Sequence, residues 1–189
     1  MTTPTRSRPV VPFVSAAVGV VLLAFLVVLV MAKPGGSESA SSPLLGRPAP
    51  VVQSTTIDDQ AFDLSRRKGS WVVFNFFNST CVPCRQEHPL LLEFAEEQRR
   101  SSNPVEMYTI INDDSDAAVR AYFETYKGNW PKIRDSDGSI SVAFGVAKVP
   151  ETWVIDPDGF VRLRILGALS DGFLSRQINE LKSQYAGET

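Results

Sequence analysis

Histidine and cysteine are scarce in this sequence, which has one His and two Cys among its 189 residues. A structural zinc site normally takes four Cys, His or carboxylate ligands. The chain therefore lacks the ligands of a dedicated zinc site, and neither a metal nor another cofactor is predicted. A copper site built from the two Cys with a carboxylate, or with a partner's residues, stays open because counting ligands does not exclude it.

An excess of basic residues is also missing. The chain carries 19 Lys and Arg against 21 Asp and Glu, a formal net charge of −2, and the basic residues are scattered. Nucleic-acid binding proteins usually show a basic patch or stripe, so nucleic acid is not a predicted partner. The hydrophobic fraction of 43% excludes a mostly disordered chain. One packed domain is expected.

Charge is absent from residues 10–32, a run of 23 residues. A helix of this length would span about 34 Å, enough for the hydrocarbon core of a bilayer, which is about 30 Å thick. The run is longer than the apolar region of a cleaved signal peptide, and it lacks a good cleavage site at its end. It predicts an uncleaved transmembrane anchor. A cleaved signal peptide, the alternative interpretation, would also export the domain that follows.

The charges around this run predict its orientation. Arg6 and Arg8 precede it, whereas Lys33 and Glu38 follow it, which favours a cytoplasmic N-terminus at residues 1–9. Residues 33–43 have the Gly and Ser content of a flexible linker. The remaining residues, 44–189, are predicted to form one extracytoplasmic domain, on the periplasmic side of the cell membrane.

Apolar periodicity and turn residues predict alternating strands and helices in the domain. Buried runs such as 71–77 indicate central strands, and 82–100 has the pattern of a helix with Pro89 inside it. The result is an α/β fold with a mixed central sheet and helices on both faces. The predicted strands are 51–57, 60–63, 71–77, 105–111, 152–156 and 160–166, and the predicted helices are 82–100, 116–127, 140–144 and one from 170 or 171 onward.

The two cysteines, Cys81 and Cys84, stand where the strand 71–77 meets its helix. A disulfide between them would close too small a ring to stabilise the fold much, so a structural role explains the pair poorly. At the helix N-terminus, unpaired N–H groups and the helix dipole would stabilise a Cys81 thiolate. Cys84, one turn later, could then resolve a mixed disulfide. The pair predicts thiol–disulfide exchange.

Other polar residues near this pair have two interpretations each. Glu87, three positions after Cys84, would raise thiol pKa values and relay protons if it lies close, but taken alone it is a charge on a helix surface. His88 is interpreted as a packed helical residue. The acidic cluster of Asp113, Asp114 and Asp116 is interpreted as a helix cap.

Two segments carry a family resemblance, FNFFNSTCVPCRQEHP at 74–89 and GVAKVPETWVID at 145–156. They resemble the thioredoxin-like proteins of cytochrome c maturation, the CcmG/DsbE group within the wider TlpA/ResA set. The resemblance covers residues 44–185 and implies a thioredoxin fold. It also implies that Pro150 is a cis-proline facing the cysteines, although the base rate of X-Pro bonds alone predicts trans. The resemblance also implies that Glu87 and Glu151 form the acidic surroundings of the cysteine pair.

The resemblance further implies a reductant of protein disulfides, in apocytochrome c or in haem-assembly proteins, with a membrane thiol transporter as electron donor. The family usually has Trp directly before the first Cys, where this chain has Thr80, and that surface normally touches the substrate. Two other functions stay open: a general extracytoplasmic disulfide oxidase or isomerase-like protein, and a binding module that holds copper or an assembly partner through the Cys pair.

Overall fold

The structure, a computed structural model, describes residues 11–31 and 38–188. These residues belong to two units, a helix near the N-terminus and an α/β domain. The helices are α1 Val11–Met31, α2 Val82–Arg100, α3 Asp116–Tyr126, α4 Ser139–Phe144 and α5 Phe173–Glu188. The strands are β1 Glu38–Ser39, β2 Gln53–Thr55, β3 Ala61–Asp63, β4 Trp71–Phe77, β5 Val105–Ile111, β6 Lys132–Arg134, β7 Glu151–Ile155 and β8 Val161–Leu166.

Six of the strands form one mixed sheet in the order β1-β8-β7-β4-β5-β6. The β4 strand runs parallel to β5 and antiparallel to β7, and all seven of its residues are buried. A continuous aromatic and β-branched run is the composition of such a doubly covered strand. The predicted central position of this strand is confirmed.

Alternate residues of β4 belong to two different cores. Val73 and Phe77 pack in one cluster with side chains of α2, α3 and α5. Phe74 and Phe76 pack in the other with α4 and the hairpin of β2 and β3. Because successive side chains of a strand point to opposite faces, the sheet has helices on both faces, as predicted.

The strong local patterns give element bounds close to those observed. The predicted strands 71–77 and 105–111 and helix 82–100 match β4, β5 and α2 residue for residue. The hairpin of β2 and β3 forms a separate two-stranded sheet and is shorter than predicted. The helix predicted at 116–127 ends one residue earlier, at Tyr126, which is 44% exposed and whose hydroxyl accepts a hydrogen bond from Arg85.

Two short strands were not predicted. The β6 strand pairs with β5 through three residues, of which only Ile133 is apolar. The β1 strand lies inside the predicted flexible linker, where Glu38 and Ser39 pair with Leu166 and Ile165 of β8. The linker prediction is therefore wrong for these two residues, because the unpaired edge of β8 offers them backbone partners. Residues 33–37 lie outside the described residues.

The α1 helix, 21 residues without a charge, forms the N-terminal unit. Its side chains from Val18 to Val28 include large apolar groups that are 47% to 68% exposed. No described helix meets the length and hydropathy that a membrane span requires, so the predicted anchor is not confirmed. Both ends of the predicted span, Val10 and Ala32, and the N-terminal segment 1–9 lie outside the described residues.

Candidate active site

A short loop carries the chain from β4 into α2, and the side chains of Asn78 and Asp114 hold it in place. Asn78 donates hydrogen bonds to the carbonyls of Asn112 and Asp113, and its Oδ1 accepts from the N–H of Thr80. Asp114 Oδ2 accepts from the N–H of Ser79 at 2.6 Å. This carboxylate was predicted to cap a helix, but it holds the loop in front of Cys81, and Ser115 caps α3.

Cys81 and Cys84 form a disulfide at the N-terminus of α2. Cys81 is the N-cap residue of the helix, and its Sγ accepts the N–H of Cys84 at 3.2 Å. Cys81 is partly exposed, whereas Cys84 is 0% exposed. Only the first sulfur is therefore accessible from solvent, and the backbone N–H would stabilise a thiolate there in the reduced protein.

The loop between α4 and β7 faces this disulfide. The Val149 carbonyl oxygen lies 3.7 Å from Cys81 Sγ. The peptide bond between Val149 and Pro150 is cis, as the family resemblance implies and against the base rate. Pro150 is itself buried, so the surface beside Cys81 is formed by the backbone before it.

Glu87 lies on the buried face of α2, one turn after Cys84, and is 1% exposed. Its Oε1 accepts from Asn75 Nδ2 and its Oε2 from the N–H of Leu169, both at 2.8 Å. Burial raises the pKa of Glu87 to about 7, although these two donors favour the charged form. Its interpretation as a surface charge is wrong, and the 84, 87, 91 spacing of one helix face was a signal for burial.

Glu151 follows Pro150 but points to the opposite face of the sheet from Glu87. Its carboxylate accepts from Trp153 Nε1 at 2.8 Å and from Arg164 Nε at 2.8 Å and Nη2 at 3.2 Å. It is 1% exposed and ion-paired with Arg164. The two glutamates predicted as one acidic environment are thus separated by the sheet. Thr152 pairs with Asn75, which binds Glu87, and because successive side chains of a strand alternate between its faces, Glu151 lies on the other face.

The α/β domain thus carries a Cys-X-X-Cys disulfide at the N-terminus of α2, directly after the central strand β4. The model of the AhpC/TSA family matches residues 45–164. The chain belongs to the AhpC/TSA family.

Relatives within the AhpC/TSA family place the chain among thiol–disulfide oxidoreductases. It is 31% identical over 150 residues to the thiol:disulfide interchange protein DsbE of Pseudomonas aeruginosa, covering 78% of this chain and 80% of that protein. It is 29% identical to the thiol-disulfide oxidoreductase ResA of Bacillus subtilis, covering 82% of each chain. This AhpC/TSA protein is a thiol–disulfide oxidoreductase.

Solved structures agree on the fold. A thiol:disulfide interchange protein of the thioredoxin family from Chlorobium tepidum superposes with a TM-score of 0.63 at 24% identity, covering 75% of this chain and 98% of that one. A secreted Mycobacterium tuberculosis disulfide oxidoreductase, described as homologous to E. coli DsbE, gives 0.61 at 22% identity, covering 68% and 95%. The predicted thioredoxin fold of the domain is confirmed.

His88 of this AhpC/TSA protein is packed rather than available as a ligand. It is 3% exposed, and its ring lies 5.1 to 5.9 Å from the rings of Tyr122, Phe123 and Trp130. Its Nε2 lies 3.0 Å from the carbonyl oxygen of Lys127, and burial lowers the pKa of the ring. Among the described residues, no group of three or more His, Cys, Asp or Glu is placed to hold a metal.

Asn75 was not singled out from the sequence of this AhpC/TSA protein. It is 0% exposed in the middle of β4, and its Nδ2 donates to Glu87 and, at 3.2 Å, to Thr152 Oγ1. An amide inside a strand buried on both faces needs a polar partner. That requirement was the available signal, but the sequence does not say that the partner is Glu87.

Proposed function

We propose that the chain is a membrane-anchored reductant of protein disulfides outside the cytoplasm, with Cys81 and Cys84 as its redox pair. The observation that carries the proposal is the difference in exposure within one disulfide. Cys81 is open to a partner beside the Val149 carbonyl, whereas Cys84 is fully buried above Glu87. This arrangement assigns attack to the first sulfur and resolution to the second.

The proposed exchange has two steps. In the reduced protein, the Cys81 thiolate attacks one sulfur of the substrate disulfide and forms a mixed disulfide, releasing the other substrate sulfur as a thiolate. Cys84 then attacks Cys81 Sγ, which releases the second substrate sulfur and forms the Cys81–Cys84 disulfide. Two electrons pass to the substrate, whose two thiolates take up two protons. A dithiol donor then reduces the Cys81–Cys84 disulfide back to two thiols and is itself oxidised to a disulfide.

Glu87 is the proposed acceptor for the Cys84 proton. Cys84 must lose its proton in a buried site before it can attack, and Glu87 is a buried carboxyl on the same helix face one turn away. With its pKa raised to about 7, Glu87 can both take and release a proton near neutral pH. Glu151 is proposed to support the loop of Pro150 instead, through Arg164.

The proposed substrates are disulfides in apocytochrome c or in haem-assembly proteins, with a membrane thiol transporter as electron donor. The similarity to DsbE and ResA over about four fifths of the chain supports this assignment. Thr80 stands where the family usually has Trp before the first Cys. Its hydroxyl donates to Asn78 Oδ1, so the surface beside Cys81 lacks an aromatic side chain at this position.

The proposed location rests on the N-terminal sequence. Residues 10–32 carry no charge, two Arg precede them, and the apolar side chains of α1 are largely exposed. A single-pass anchor with residues 1–9 in the cytoplasm would place the domain on the periplasmic side. A disulfide is chemically admissible in that compartment.

The test is the reduction potential of the full chain in detergent, measured by thiol trapping in dithiothreitol and glutathione buffers. A value near that of thioredoxin, about −270 mV, is expected for a reductant, whereas a value near −120 mV would identify an oxidase instead. Cu(I) binding in the absence of disulfide turnover would identify the binding module.

Matched cysteine variants give the second arm of this test. Cys84→Ser should trap a mixed disulfide through Cys81, because nothing resolves it, and apocytochrome c is the expected captured protein. Cys81→Ser should trap none, since Cys84 is inaccessible. Equal capture by both variants would contradict the assigned roles.

A further inference from the structure

Arg164 of β8 makes contacts that the exchange chemistry does not use. Its Nε and Nη2 bind the two carboxylate oxygens of Glu151 at 2.8 and 3.2 Å, and its guanidinium carbon lies 5.2 Å from the centre of the Trp153 ring. The Arg164 side chain is 17% exposed and that of Glu151 is 1% exposed. A bidentate ion pair of this kind fixes the relative orientation of the two side chains as well as their distance.

The same guanidinium also reaches the other end of the active-site loop. Arg164 Nη2 lies 3.4 Å from the carbonyl oxygen of Gly145, the residue that ends α4. Residues 145–150 run from there to the cis peptide bond and carry the Val149 carbonyl to Cys81. Arg164 therefore contacts residues at both ends of this loop, Gly145 and Glu151.

The predicted linker meets Arg164 as well. The Arg164 carbonyl accepts the N–H of Ala40 at 2.9 Å, and Arg164 Nη1 donates to the Ser41 carbonyl at 3.3 Å. Glu38 and Ser39 continue this pairing along β8. Backbone and side chain of one residue thus join the segment 38–41 to the loop that faces the cysteines.

We propose that Arg164 is a positioning residue that holds the loop 145–150 for docking of a protein disulfide, and that pairing of residues 38–41 with β8 supports this position. The inference rests on the proposed function. A protein substrate must lie along the backbone beside Cys81, so a displaced loop weakens its docking. A small disulfide needs only the exposed sulfur and should not sense the loop.

The test compares steady-state KM and kcat of the full chain in detergent, with dithiothreitol as the electron donor and two substrates: insulin as a protein disulfide and glutathione disulfide as a small one. Arg164→Lys keeps the positive charge but cannot form the bidentate pair with Glu151. It should raise KM for insulin about fivefold to tenfold, a range that corresponds to about 1 to 1.4 kcal/mol for one loosened contact. The values for glutathione disulfide and the reduction potential should stay unchanged.

Two proline variants test the contribution of the segment 38–41. Ala40→Pro removes the N–H that Arg164 accepts, and it should raise KM for insulin in the same direction. Ser39→Pro is the matched control, because in an antiparallel ladder the N–H groups of neighbouring residues alternate, so the Ser39 N–H points away from β8. Its KM should equal that of the wild type.

Loss of Arg164 leaves Glu151 buried without its ion pair, which can unfold the domain. The double variant Glu151→Gln with Arg164→Met removes both charges and keeps the test valid, and it should also show the raised KM for insulin. An unchanged KM in Arg164→Lys and in this double variant overturns the inference, as does an equal effect of the two proline variants. Absence of turnover by the wild type would contradict the proposed function itself.

Discussion

The carboxyl group of Glu87 illustrates how burial changes the chemistry of one residue. Water is excluded from it, and two hydrogen-bond donors do not replace the lost hydration of the charged form. In the unfolded chain the same group would ionise near its ordinary pKa of 4.5, against about 7 in the fold. The fold therefore binds this proton more tightly than the unfolded chain does.

This difference predicts a pH window of stability. Below about pH 4.5 both states are protonated, and between 4.5 and about 7 only the fold keeps the proton, so the free energy of unfolding should fall as pH rises. At about 1.4 kcal/mol per pKa unit, the total fall attributable to Glu87 is roughly 3 kcal/mol. Urea denaturation of the oxidised protein at successive pH values would measure it.

Glu87→Gln should remove this fall, since the amide does not titrate. Glu93→Gln is the matched control, because Glu93 is an exposed carboxyl on the same helix, and it should leave the fall in place. If the wild-type and Glu87→Gln curves run parallel between pH 4.5 and 7, another group binds the proton.

At the scale of elements, the short helix α4 depends on a buried cap. Asp135 is 5% exposed, and its carboxylate accepts from the N–H groups of Ile140 and Ser141, both at 2.8 Å, and from the Ser141 hydroxyl at 2.6 Å. Six residues are too few for a helix to be stable by itself. The turn at residues 135–138, closed by a hydrogen bond from Gly138 N–H to the Asp135 carbonyl, starts the helix that leads to the active-site loop.

Asp135→Ala should lower the free energy of unfolding by about 2 to 4 kcal/mol, because three buried donors lose their acceptor. Asp137→Ala is the control: this exposed residue accepts hydrogen bonds from the neighbouring Ser139, whose N–H lies at 3.1 Å, and about 0.5 to 1 kcal/mol is expected. Thermal or urea unfolding would compare them. Equal losses in the two variants would show that burial of the cap does not matter.

At the scale of the whole molecule, the proposed function requires a defined orientation across the membrane. The chain has no cysteine besides Cys81 and Cys84, the proposed redox pair, so thiol labelling reports the location of the domain without an added cysteine. Cys84→Ser leaves Cys81 as the single, partly exposed thiol. This variant turns the active site into its own topological marker.

A membrane-impermeant maleimide should label Cys84→Ser in intact spheroplasts to the same extent as in lysed ones, after mild reduction. The protein should also remain in the membrane fraction through washes with high salt and alkaline carbonate. Labelling only after lysis would place the domain in the cytoplasm, and release by the washes would contradict an uncleaved anchor.

Local sequence patterns were sufficient for β4, β5 and α2, and for the position of the cysteines between strand and helix. Burial on both faces requires continuous apolar runs, and an amphipathic helix requires its period, so these elements are written in consecutive residues. The Cys-X-X-Cys motif is equally local. The sequence by itself therefore determined the fold class and the position of the cysteine pair.

Tertiary structure decided the features that depend on residues far apart in the chain. The pairing of β1 with β8 joins residues more than 120 positions apart, and the burial of Glu87 depends on Asn75 and on Leu169, which is 82 positions away. The placement of Glu151 on the opposite face follows from the register of β7 with its neighbours. Each of these three features depends on desolvation or on a partner supplied by another element. A local sequence pattern encodes neither the desolvation nor the identity of the partner.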